Sequence, residues 1–445
     1  MSLRFGTDGV RGVAGLELSP ELVLALGRAA ARVLGGDEFV VGRDTRVSGP
    51  MLQAALSAGI AAEGAGVVDI GVIPTPGVAA VAAARGLPAA VISASHNPYR
   101  DNGVKLLAPG GLKLDDAQEE LIERAVAEMQ VSPAGKRDAV GLLRSDTAAI
   151  GWYCDRVVEA VEGRRLDGLR VVVDCANGAA SHTAERVLAA AGADVVEVVA
   201  AEPDGFNINE GCGSTDPSLL SRSVTAHGAD AGVALDGDAD RVIAVDERGR
   251  VVDGDRLLAM FAVDLKERGR LAGDTLAVTV MSNLGLQNAM EASGIRVHRT
   301  PVGDRNVLEA LDANGWSLGG EQSGHIIFRD LATTGDGVLS GLMLLDLVRR
   351  SGRRLSELAE AAMVRLPQVL RNVEIPPGSA PVSESEQVQS ELRAVEGELG
   401  AGGRVVLRAS GTEPLVRVMV EAESTDAAES AAQRLVEAVR QATSG

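Results

Sequence analysis

The sequence predicts an α/β protein with three similar mixed α/β domains and a smaller α+β domain after them. Three stretches repeat the order apolar strand, small-residue loop, Ala-rich helix and second strand, an order typical of βαβ units. The chain of 445 residues is also too long for one ordinary hydrophobic core. Because a unit that recurs at this scale suggests duplication, we expect the three domains to be related to one another.

The three repeats define the first three domains, which we place at residues 1–163, 164–253 and 254–366. In the first repeat, the strand, helix and second strand are residues 39–41, 51–63 and 67–70. In the second repeat they are residues 171–173, 184–191 and 195–199, and in the third residues 276–281, 286–293 and 295–297. Continuous apolar strands that alternate with helices predict mostly parallel sheets.

The fourth domain, residues 367–445, is predicted from a change in pattern beyond Leu366. The run PPGSAP at residues 376–381 indicates a turn or linker. A polar helix then follows, and after it a strand, a loop, a second strand and a closing helix. The helix lies around residues 384–398 and the strands at 405–407 and 415–420. This order is typical of a small α+β domain.

Composition and charge exclude several classes of partner. The net charge of −19 argues against nucleic acid or an anionic membrane, since both require a basic surface. A phosphorylated small molecule stays compatible, because a few arginines in a cleft can reverse the local field. No apolar run reaches the ~18 residues of a membrane span, and the N-terminal sequence has no signal-peptide pattern, so we expect a cytoplasmic protein. Aromatic residues make up only 2%, so the cores must consist of Ala, Val and Leu.

The first candidate for chemistry is a short polar loop, Ser93-Ala94-Ser95-His96-Asn97-Pro98, which follows an apolar strand. Ligands bind at strand ends in α/β sheets, so Ser95 is placed like a nucleophile. No catalytic triad is evident, and we expect the adjacent His96 to point away. The alternative is a turn in which the Ser95 hydroxyl bonds to the backbone.

The second candidate is an acidic loop after the strand at residues 231–235, with three carboxylates at alternate positions: Asp236, Asp238 and Asp240. In an extended strand they would lie ~6.6 Å apart, whereas a hard cation needs its oxygens at ~2.0–2.6 Å. The loop must therefore curl around the ion, which the small Gly237 and Ala239 permit. Few ligands, all of them oxygen, point to one Mg²⁺ with a phosphate oxygen completing the shell.

A calcium loop of the EF-hand type is a rival interpretation of this acidic loop, with Glu247 in the twelfth place. It fails because Arg241 stands where that loop needs glycine, and because the flanking segments have the pattern of strands rather than helices.

Two further loops carry groups suited to a sugar and a phosphate. In the loop at residues 319–325, Glu321 and Ser323 offer the acceptor and donor that sugar hydroxyls need; a plain glycine turn is the alternative. The loop at residues 408–414 has two hydroxyls, exposed N–H groups and flanking arginines, which suit a phosphate dianion. Arg417 lies inside the next strand, where a structural salt bridge is the alternative.

Together these four loops, in this order, resemble the phosphohexose mutase superfamily over essentially the whole chain. The supporting segments are FGTDGVRG, SASHNPYRDNGVK, PDGFNINEGCGSTDP, GEQSGH and RASGTEPLVRVMVE. The resemblance is strongest to the bacterial branch that acts on glucosamine phosphates. It implies a heart-shaped molecule in which each domain contributes one loop to a central cleft. It also implies interconversion of glucosamine 6-phosphate and glucosamine 1-phosphate, which feeds UDP-N-acetylglucosamine and cell-wall synthesis.

The resemblance further implies roles for individual residues. Ser95, as phosphoserine, would carry the phosphoryl group, pass it through a sugar bisphosphate, and share one Mg²⁺ with the three aspartates. The other positions fall into sets for transition-state or acid–base duties, for substrate binding, and for the phosphate that is not reacting. These sets are Arg11, Lys105 and His325; Glu321, Ser323, Arg241 and Arg305; and Arg408, Ser410, Gly411, Thr412 and Arg417. The partner would be a small sugar phosphate, and a homodimer is compatible with the resemblance.

Two departures and three alternatives accompany this hypothesis. Ala239 stands where we expect glycine, and Asn306 where we expect an aromatic residue. A mutase for glucose or mannose phosphates, a phosphatase and a non-catalytic sugar-phosphate sensor stay open. The DxDxT run of aspartate phosphatases is absent, whereas Gln322 and the stretch at residues 207–210 favour the amino sugar by resemblance.

Overall fold

Four β-sheets organise the residues that the structure, a computed structural model, describes: 4–6, 8–129, 140–376, 385–409 and 415–444. Three sheets are mixed and flanked by helices, and the fourth is small and antiparallel. The predicted fold class, three mixed α/β domains and a smaller α+β domain, is confirmed. Within the described ranges, no helix is long and apolar enough to cross a membrane.

The first sheet has seven strands: β1 (Val10–Val13), β2 (Glu38–Arg43), β3 (Gly66–Val72), β4 (Ala89–Ile92), β5 (Asp101–Ala108), β6 (Leu112–Lys113) and β7 (Leu143–Ser145). Their order is β1-β5-β4-β2-β3-β7, with β6 beside β5. Strands β4, β2, β3 and β7 are parallel, and β5 runs antiparallel to its neighbours. The accompanying helices are α1 (Pro20–Leu34), α2 (Gly49–Ala62), α3 (Thr75–Arg85) and α4 (Asp116–Met129).

The second sheet has five strands in the order β12-β11-β10-β8-β9. They are β8 (Arg170–Asp174), β9 (Asp194–Val199), β10 (Ala231–Leu235), β11 (Val242–Asp246) and β12 (Val251–Val252). Strands β9, β8 and β10 are parallel, and β11 is antiparallel to β10. The helices α6 (Ala184–Ala190) and α7 (Ser218–His227) accompany these strands, and α5 (Ala149–Glu159) contacts both α3 and α6.

The third sheet has four strands in the order β14-β13-β15-β16: β13 (Thr275–Thr279), β14 (Arg296–Thr300), β15 (Leu318–Gly320) and β16 (Ile326–Phe328). Its first three strands in that order are parallel and β16 is antiparallel to β15. The helices are α8 (Gly254–Glu267), α9 (Leu284–Ala292), α10 (Asp304–Asn314), α11 (Gly337–Ser351) and α12 (Leu355–Ala362). Asp336 begins α11 by accepting a hydrogen bond from the Leu339 N–H, as a helix N-cap does.

The fourth sheet has three antiparallel strands in the order β17-β19-β18. They are β17 (Gln368–Glu374), β18 (Arg404–Ala409) and β19 (Leu415–Glu421), and they are accompanied by α13 (Glu386–Leu399) and α14 (Thr425–Ser444). The predicted helix, strands and closing helix of this region are all present.

The first three sheets share one topology. Three parallel strands end in an antiparallel fourth: β3-β2-β4-β5, β9-β8-β10-β11 and β14-β13-β15-β16. Each predicted βαβ unit supplies two of the parallel strands, and this agreement supports duplication. One buried apolar cluster, mainly of Val, Leu and Ala, extends from Val40 to Met363 and packs the three sheets together. This shared core fixes how the loops of the three sheets meet.

Candidate active site

Three of the candidate loops occupy the same topological position in their sheets. Each joins the last parallel strand to its antiparallel neighbour: Ser95 lies between β4 and β5, the acidic loop between β10 and β11, and Glu321 between β15 and β16. These turns lie at the carboxyl ends of the parallel strands, where α/β sheets bind ligands. The duplicated fold therefore delivers three loops of different chemistry to one place.

The Ser95 hydroxyl faces the acidic loop. Ser95 is 1% exposed, and its Oγ donates a hydrogen bond of 2.5 Å to Asp236 Oδ2, so the hydroxyl bonds to a carboxylate rather than to the backbone. The expectation that His96 points away is wrong: His96 Nδ1 lies 3.3 Å from Ser95 Oγ. Ser95 has a φ of 52°, and this left-handed backbone turns the two side chains toward each other.

The three aspartates form a buried cluster that can hold a metal ion. One carboxylate oxygen from each of Asp236, Asp238 and Asp240 lies within 4.8 Å of the others. Burial, together with the neighbouring carboxylates of Asp240 and Asp238, raises the pKa of Asp236 well above its ordinary value. Asp238 Oδ1 and Asp240 Oδ1 are buried without a hydrogen-bond partner among the described residues. Unpartnered carboxylate oxygens of this kind fit a hard divalent cation.

The curl of the acidic loop depends on two small residues. A Cβ at Gly237 would lie 2.5 Å from the Ser95 carbonyl oxygen, so only glycine allows the acidic loop to approach the serine loop this closely. Ala239 is fully buried and has a φ of 56°. This left-handed conformation explains why glycine is expected there, and alanine adopts it at a cost of about 1–2 kcal/mol.

Lys105, on strand β5, neutralises part of the negative charge of the aspartate cluster. Its Nζ lies 2.7 Å from Asp8 Oδ2, 2.8 Å from Asp238 Oδ2 and 3.1 Å from Asp240 Oδ2. Burial alone would lower the pKa of Lys105, but the carboxylates of Asp238, Asp8 and Asp240 raise it well above its ordinary value. The ammonium group is therefore held charged at the edge of the aspartate cluster.

His325 joins the acidic loop from the third sheet. It is 2% exposed, and its Nδ1 lies 3.7 Å from Asp240 Oδ1. Its Nε2 accepts a hydrogen bond of 3.1 Å from the Gly335 N–H and lies 3.4 Å from Asp304 Oδ2. Lys113, on strand β6 of the first sheet, pairs with both Asp304 and Asp8. It therefore connects the charged groups around His325 with those around Lys105.

Two further side chains of the Gly319–His325 loop are less buried than His325. Ser323 is exposed and Glu321 is half-buried, and Glu321 Oε1 accepts a hydrogen bond of 3.2 Å from the Gly303 N–H. Arg241 extends the positive side of the site: its Nε lies 3.8 Å from Asp240 Oδ1, and its backbone N–H donates to Asp236 Oδ1. A carboxylate, a hydroxyl and a guanidinium are thus available near the aspartates.

Arg11 and Arg305 occupy different surroundings. Arg11 Nη2 pairs with Asp8 at 2.7 Å, and its Nη1 lies 3.5 Å from the carbonyl oxygen of Ala94 beside Ser95. Arg305 lies in the first turn of α10 and pairs with three carboxylates: Asp116, Glu119 and Glu309. Its guanidinium joins the third domain to α4, and its role in substrate binding stays a prediction.

Asn306 stands where an aromatic residue is expected, and its side chain makes a local hydrogen bond. Asn306 Nδ2 donates to the Val302 carbonyl oxygen at 3.0 Å. The amide therefore holds its own loop at the start of α10.

The fourth sheet presents a pair of arginines. Arg408 lies directly opposite Arg417 across strands β18 and β19. Burial and the nearby Arg417 lower the pKa of Arg408. Like charges facing each other across strands are unfavourable, so an anion between them would be stabilising. Ser410, Gly411 and Thr412 lie outside the described residues.

Several residues that sequence reasoning missed connect these loops. Thr75, at the start of α3, donates its hydroxyl to Asp238 Oδ2 at 2.6 Å and its N–H to the Asp238 carbonyl oxygen at 2.9 Å. Asn209 Nδ2 donates to the carbonyl oxygens of Ser95 and Asn97, so this residue of the 207–210 stretch holds the serine loop. The others are Asp8, Lys113 and Asp304, together with Asp44 and Arg46 beside the serine loop. Thr75 and Arg46 could have been found from the sequence, because they follow the ends of the apolar strands β3 and β2, where α/β sheets bind ligands.

The comparisons with known proteins agree with this site and fold. Four family models match in order: phosphoglucomutase/phosphomannomutase alpha/beta/alpha domains I, II and III at residues 2–131, 152–249 and 253–366, and the C-terminal domain at 370–438. Among solved structures, a phosphoglucomutase/phosphomannomutase family protein from Burkholderia thailandensis matches with a TM-score of 0.83 and 26% identity, over 99% of this chain and 98% of that one. An Aspergillus fumigatus N-acetylphosphoglucosamine mutase, solved with GlcNAc-6P and magnesium, shares the fold with a TM-score of 0.72 and 19% identity, over 100% of this chain and 96% of that one.

The fold, the hairpin loops and the four domain matches define a member of the phosphoglucomutase/phosphomannomutase class. Two relatives identify the family to which the chain belongs within this class. The phosphoglucosamine mutases of Frankia alni and Thermobifida fusca are 53% and 52% identical to this chain, over 99% of it and over 99% and 98% of their own lengths. The chain belongs to the phosphoglucosamine mutase family.

Proposed function

We propose that this chain interconverts glucosamine 6-phosphate and glucosamine 1-phosphate through a phosphorylated Ser95. The observation that carries the proposal is the buried Ser95 hydroxyl, which lies 2.5 Å from one carboxylate of a three-aspartate cluster. Membership of the phosphoglucosamine mutase family, with relatives 52–53% identical over nearly the full length, supports the substrate. Glucose or mannose phosphates are the second candidate substrates, because the 26% identical Burkholderia relative bears the broader family name.

The reaction consists of two phosphoryl transfers. In the first, the bond from phosphorus to Ser95 Oγ breaks and a bond from phosphorus to the free sugar hydroxyl forms, which gives a sugar bisphosphate. The proton of the sugar hydroxyl passes to a base, and the released Ser95 Oγ takes up a proton. After the bisphosphate turns over, Ser95 Oγ loses its proton and bonds to the other phosphorus. The bond from that phosphorus to the sugar oxygen breaks, and the released sugar oxygen takes a proton from the base. Such transfers depend mainly on positioning and on neutralising negative charge.

We assign different duties to the two predicted acid–base residues. Three carboxylates surround Lys105 Nζ at 2.7–3.1 Å, an arrangement that favours the charged ammonium and suits charge neutralisation. Burial alone would lower the pKa of His325, but contact with Asp240 and the charge of Asp304 raise it above its ordinary value. The imidazole ring lies against the same aspartate cluster, and imidazole is a common proton carrier in enzymes. His325 is therefore our proposed proton carrier, and Arg11 a second source of positive charge beside Ser95.

Magnesium is the metal that we propose for the aspartate cluster. Asp236, Asp238, Asp240 and the phosphorylated Ser95 would hold it, and all of these ligands are oxygen donors, as Mg²⁺ prefers. The bound ion would neutralise charge on the phosphoryl oxygens.

The proposed site for the phosphate that is not reacting consists of Arg408 and Arg417, with Ser410, Gly411 and Thr412. Glu321 and Ser323 are proposed to bind the sugar. The domain boundaries, one ion per chain, a homodimer and a cytoplasmic location stay predictions.

We expect kcat/KM for glucosamine 6-phosphate to exceed the values for glucose and mannose 6-phosphates. The three sugars share the phosphate and most hydroxyls, so discrimination requires a group near the second carbon. Glucosamine carries an amine there that can be cationic, and the half-buried Glu321 carboxylate is its natural partner. The measurement is kcat/KM on the three sugar phosphates under identical conditions.

The matched variant for this comparison is Glu321→Gln, which keeps the size of the side chain and removes its charge. We expect it to reduce the preference for glucosamine. A preference of the parent for glucose or mannose phosphate by about tenfold, or ~1.4 kcal/mol, would contradict the substrate and leave the mutase chemistry intact.

A further inference from the structure

The serine loop is wrapped around one buried guanidinium group, which belongs to Arg46. Arg46 follows strand β2 and is 1% exposed. Its Nη2 donates to the carbonyl oxygens of Ser95 and Asn97, both at 2.8 Å. Its Nη1 donates to the carbonyl oxygens of Pro98 at 2.5 Å and Asp101 at 2.9 Å. Four carbonyl groups of the segment from Ser95 to Asp101 thus converge on one side chain.

The fifth donor of Arg46 connects this arrangement to a buried carboxylate. Arg46 Nε donates to Asp44 Oδ2 at 2.8 Å, and both side chains are fully buried. Asp44 Oδ2 also accepts a hydrogen bond of 2.7 Å from the Ser93 hydroxyl, and Ser93 Oγ accepts one from the Ser95 N–H. All five N–H groups of the guanidinium are therefore used, and the network holds Ser95 at both its N–H and its carbonyl oxygen.

Ser95 needs such support because of its backbone conformation. A φ of 52° is disfavoured for a residue with a Cβ, and it persists only where the surroundings impose it. In this conformation the Ser95 carbonyl oxygen accepts from Arg46, while the Ser95 hydroxyl donates to Asp236. Asn209 donates a second hydrogen bond to the same carbonyl oxygen at 2.9 Å.

We propose that Arg46 is a positioning residue for phosphoryl transfer: it holds Ser95 in the left-handed conformation that aims Oγ at the aspartate cluster. The inference rests on the proposed function. None of the hydrogen bonds of Arg46 goes to Glu321, Ser323 or the arginine pair of the fourth sheet. Arg46 therefore acts on the transfer step and leaves the binding of the sugar phosphate unchanged.

The test is Arg46→Lys, which keeps the positive charge but cannot reproduce five donors in one plane. We expect kcat to fall by about 100-fold, because a misplacement of about 1 Å has an effect of that size. KM should stay within about threefold of the parent value, since substrate binding is untouched. The matched control is Arg28→Lys: Arg28 is also a buried arginine of the first domain, paired with Glu63 at 2.8 Å, and its replacement should leave kcat within about twofold.

Thermal unfolding of each variant sets an assay temperature at which all of them are folded. The proposal is overturned if folded Arg46→Lys keeps kcat within about threefold of the parent, or if Arg28→Lys loses as much. Should Arg46→Lys fail to fold, Asn209→Ala takes its place, because it removes the second donor to the Ser95 carbonyl; an unchanged kcat there also overturns the proposal. A parent protein inactive on all three sugar phosphates would instead refute the proposed function.

Discussion

Ser95→Ala is expected to abolish mutase activity, with kcat at least about 10⁴-fold below the parent value, while the fold is retained. The Ser95 hydroxyl is the group placed against the aspartate cluster, and water cannot return a phosphoryl group to the sugar. The substitution removes one buried hydrogen bond to Asp236, so the free energy of unfolding should change by only about 1–2 kcal/mol. A coupled assay for glucosamine 1-phosphate and denaturant unfolding measure the two quantities.

The control for this variant is Ser57→Ala, which removes another buried hydroxyl of the first domain, on α2, and should leave the activity unchanged. Ser93 cannot replace Ser95 as the phosphoryl carrier, because its hydroxyl donates to the buried Asp44. Phosphopeptide mapping of the parent should therefore find phosphate on Ser95. Turnover of Ser95→Ala close to that of the parent would refute the phosphoserine mechanism.

Asp238→Asn should lose metal affinity and activity together. Asp238 contributes a buried carboxylate whose Oδ1 has no hydrogen-bond partner among the described residues. The neutral amide removes one negative charge from the cluster while keeping its volume, so we expect the affinity for Mg²⁺ to fall by about 100-fold. We expect kcat to fall by about 10³-fold, since charge neutralisation at the phosphoryl group depends on the ion. Titration calorimetry with Mg²⁺ measures the affinity directly.

Asp246→Asn is the matched control for the metal site. Asp246 is a buried carboxylate of the same domain, at the end of β11, and it pairs with Arg250 at 2.9 Å. Its replacement should lower stability and leave Mg²⁺ binding unchanged. Unaltered Mg²⁺ affinity in Asp238→Asn would place the metal elsewhere.

The approximate positions of the central strands and three of the site loops could be predicted from the sequence, whereas strand ends differ by up to three residues and β17 was missed. Apolar strands with polar residues after them are visible as local patterns, and α/β sheets bind ligands at those strand ends. Ser95, the three aspartates and Glu321 were found in this way. That their loops occupy equivalent hairpins was not predictable, because antiparallel pairing of β5, β11 and β16 depends on contacts between distant parts of the chain.

The residues that support these loops were missed for physical reasons. Arginine and aspartate are mostly exposed in proteins, so the pattern of the chain did not indicate that Arg46 and Asp44 are fully buried. The contact of His96 with Ser95 follows from a left-handed φ at a non-glycine residue, which is rare and leaves no local sequence signal. The charge chain from Asp8 through Lys113 to Asp304 joins the first domain to the third, and only the folded chain brings these residues together.

The most direct test of the central claim follows the phosphoryl group itself. Intact-mass measurement of the purified protein should find about one phosphate per chain, removable by phosphatase. In a separate sample without phosphatase, excess glucosamine 6-phosphate should take that phosphate from Ser95 and form glucosamine bisphosphate. Mass spectrometry of the small molecules detects this product. A chain that carries no phosphate and transfers none to the sugar, or one whose phosphate leaves only as inorganic phosphate, would contradict the account.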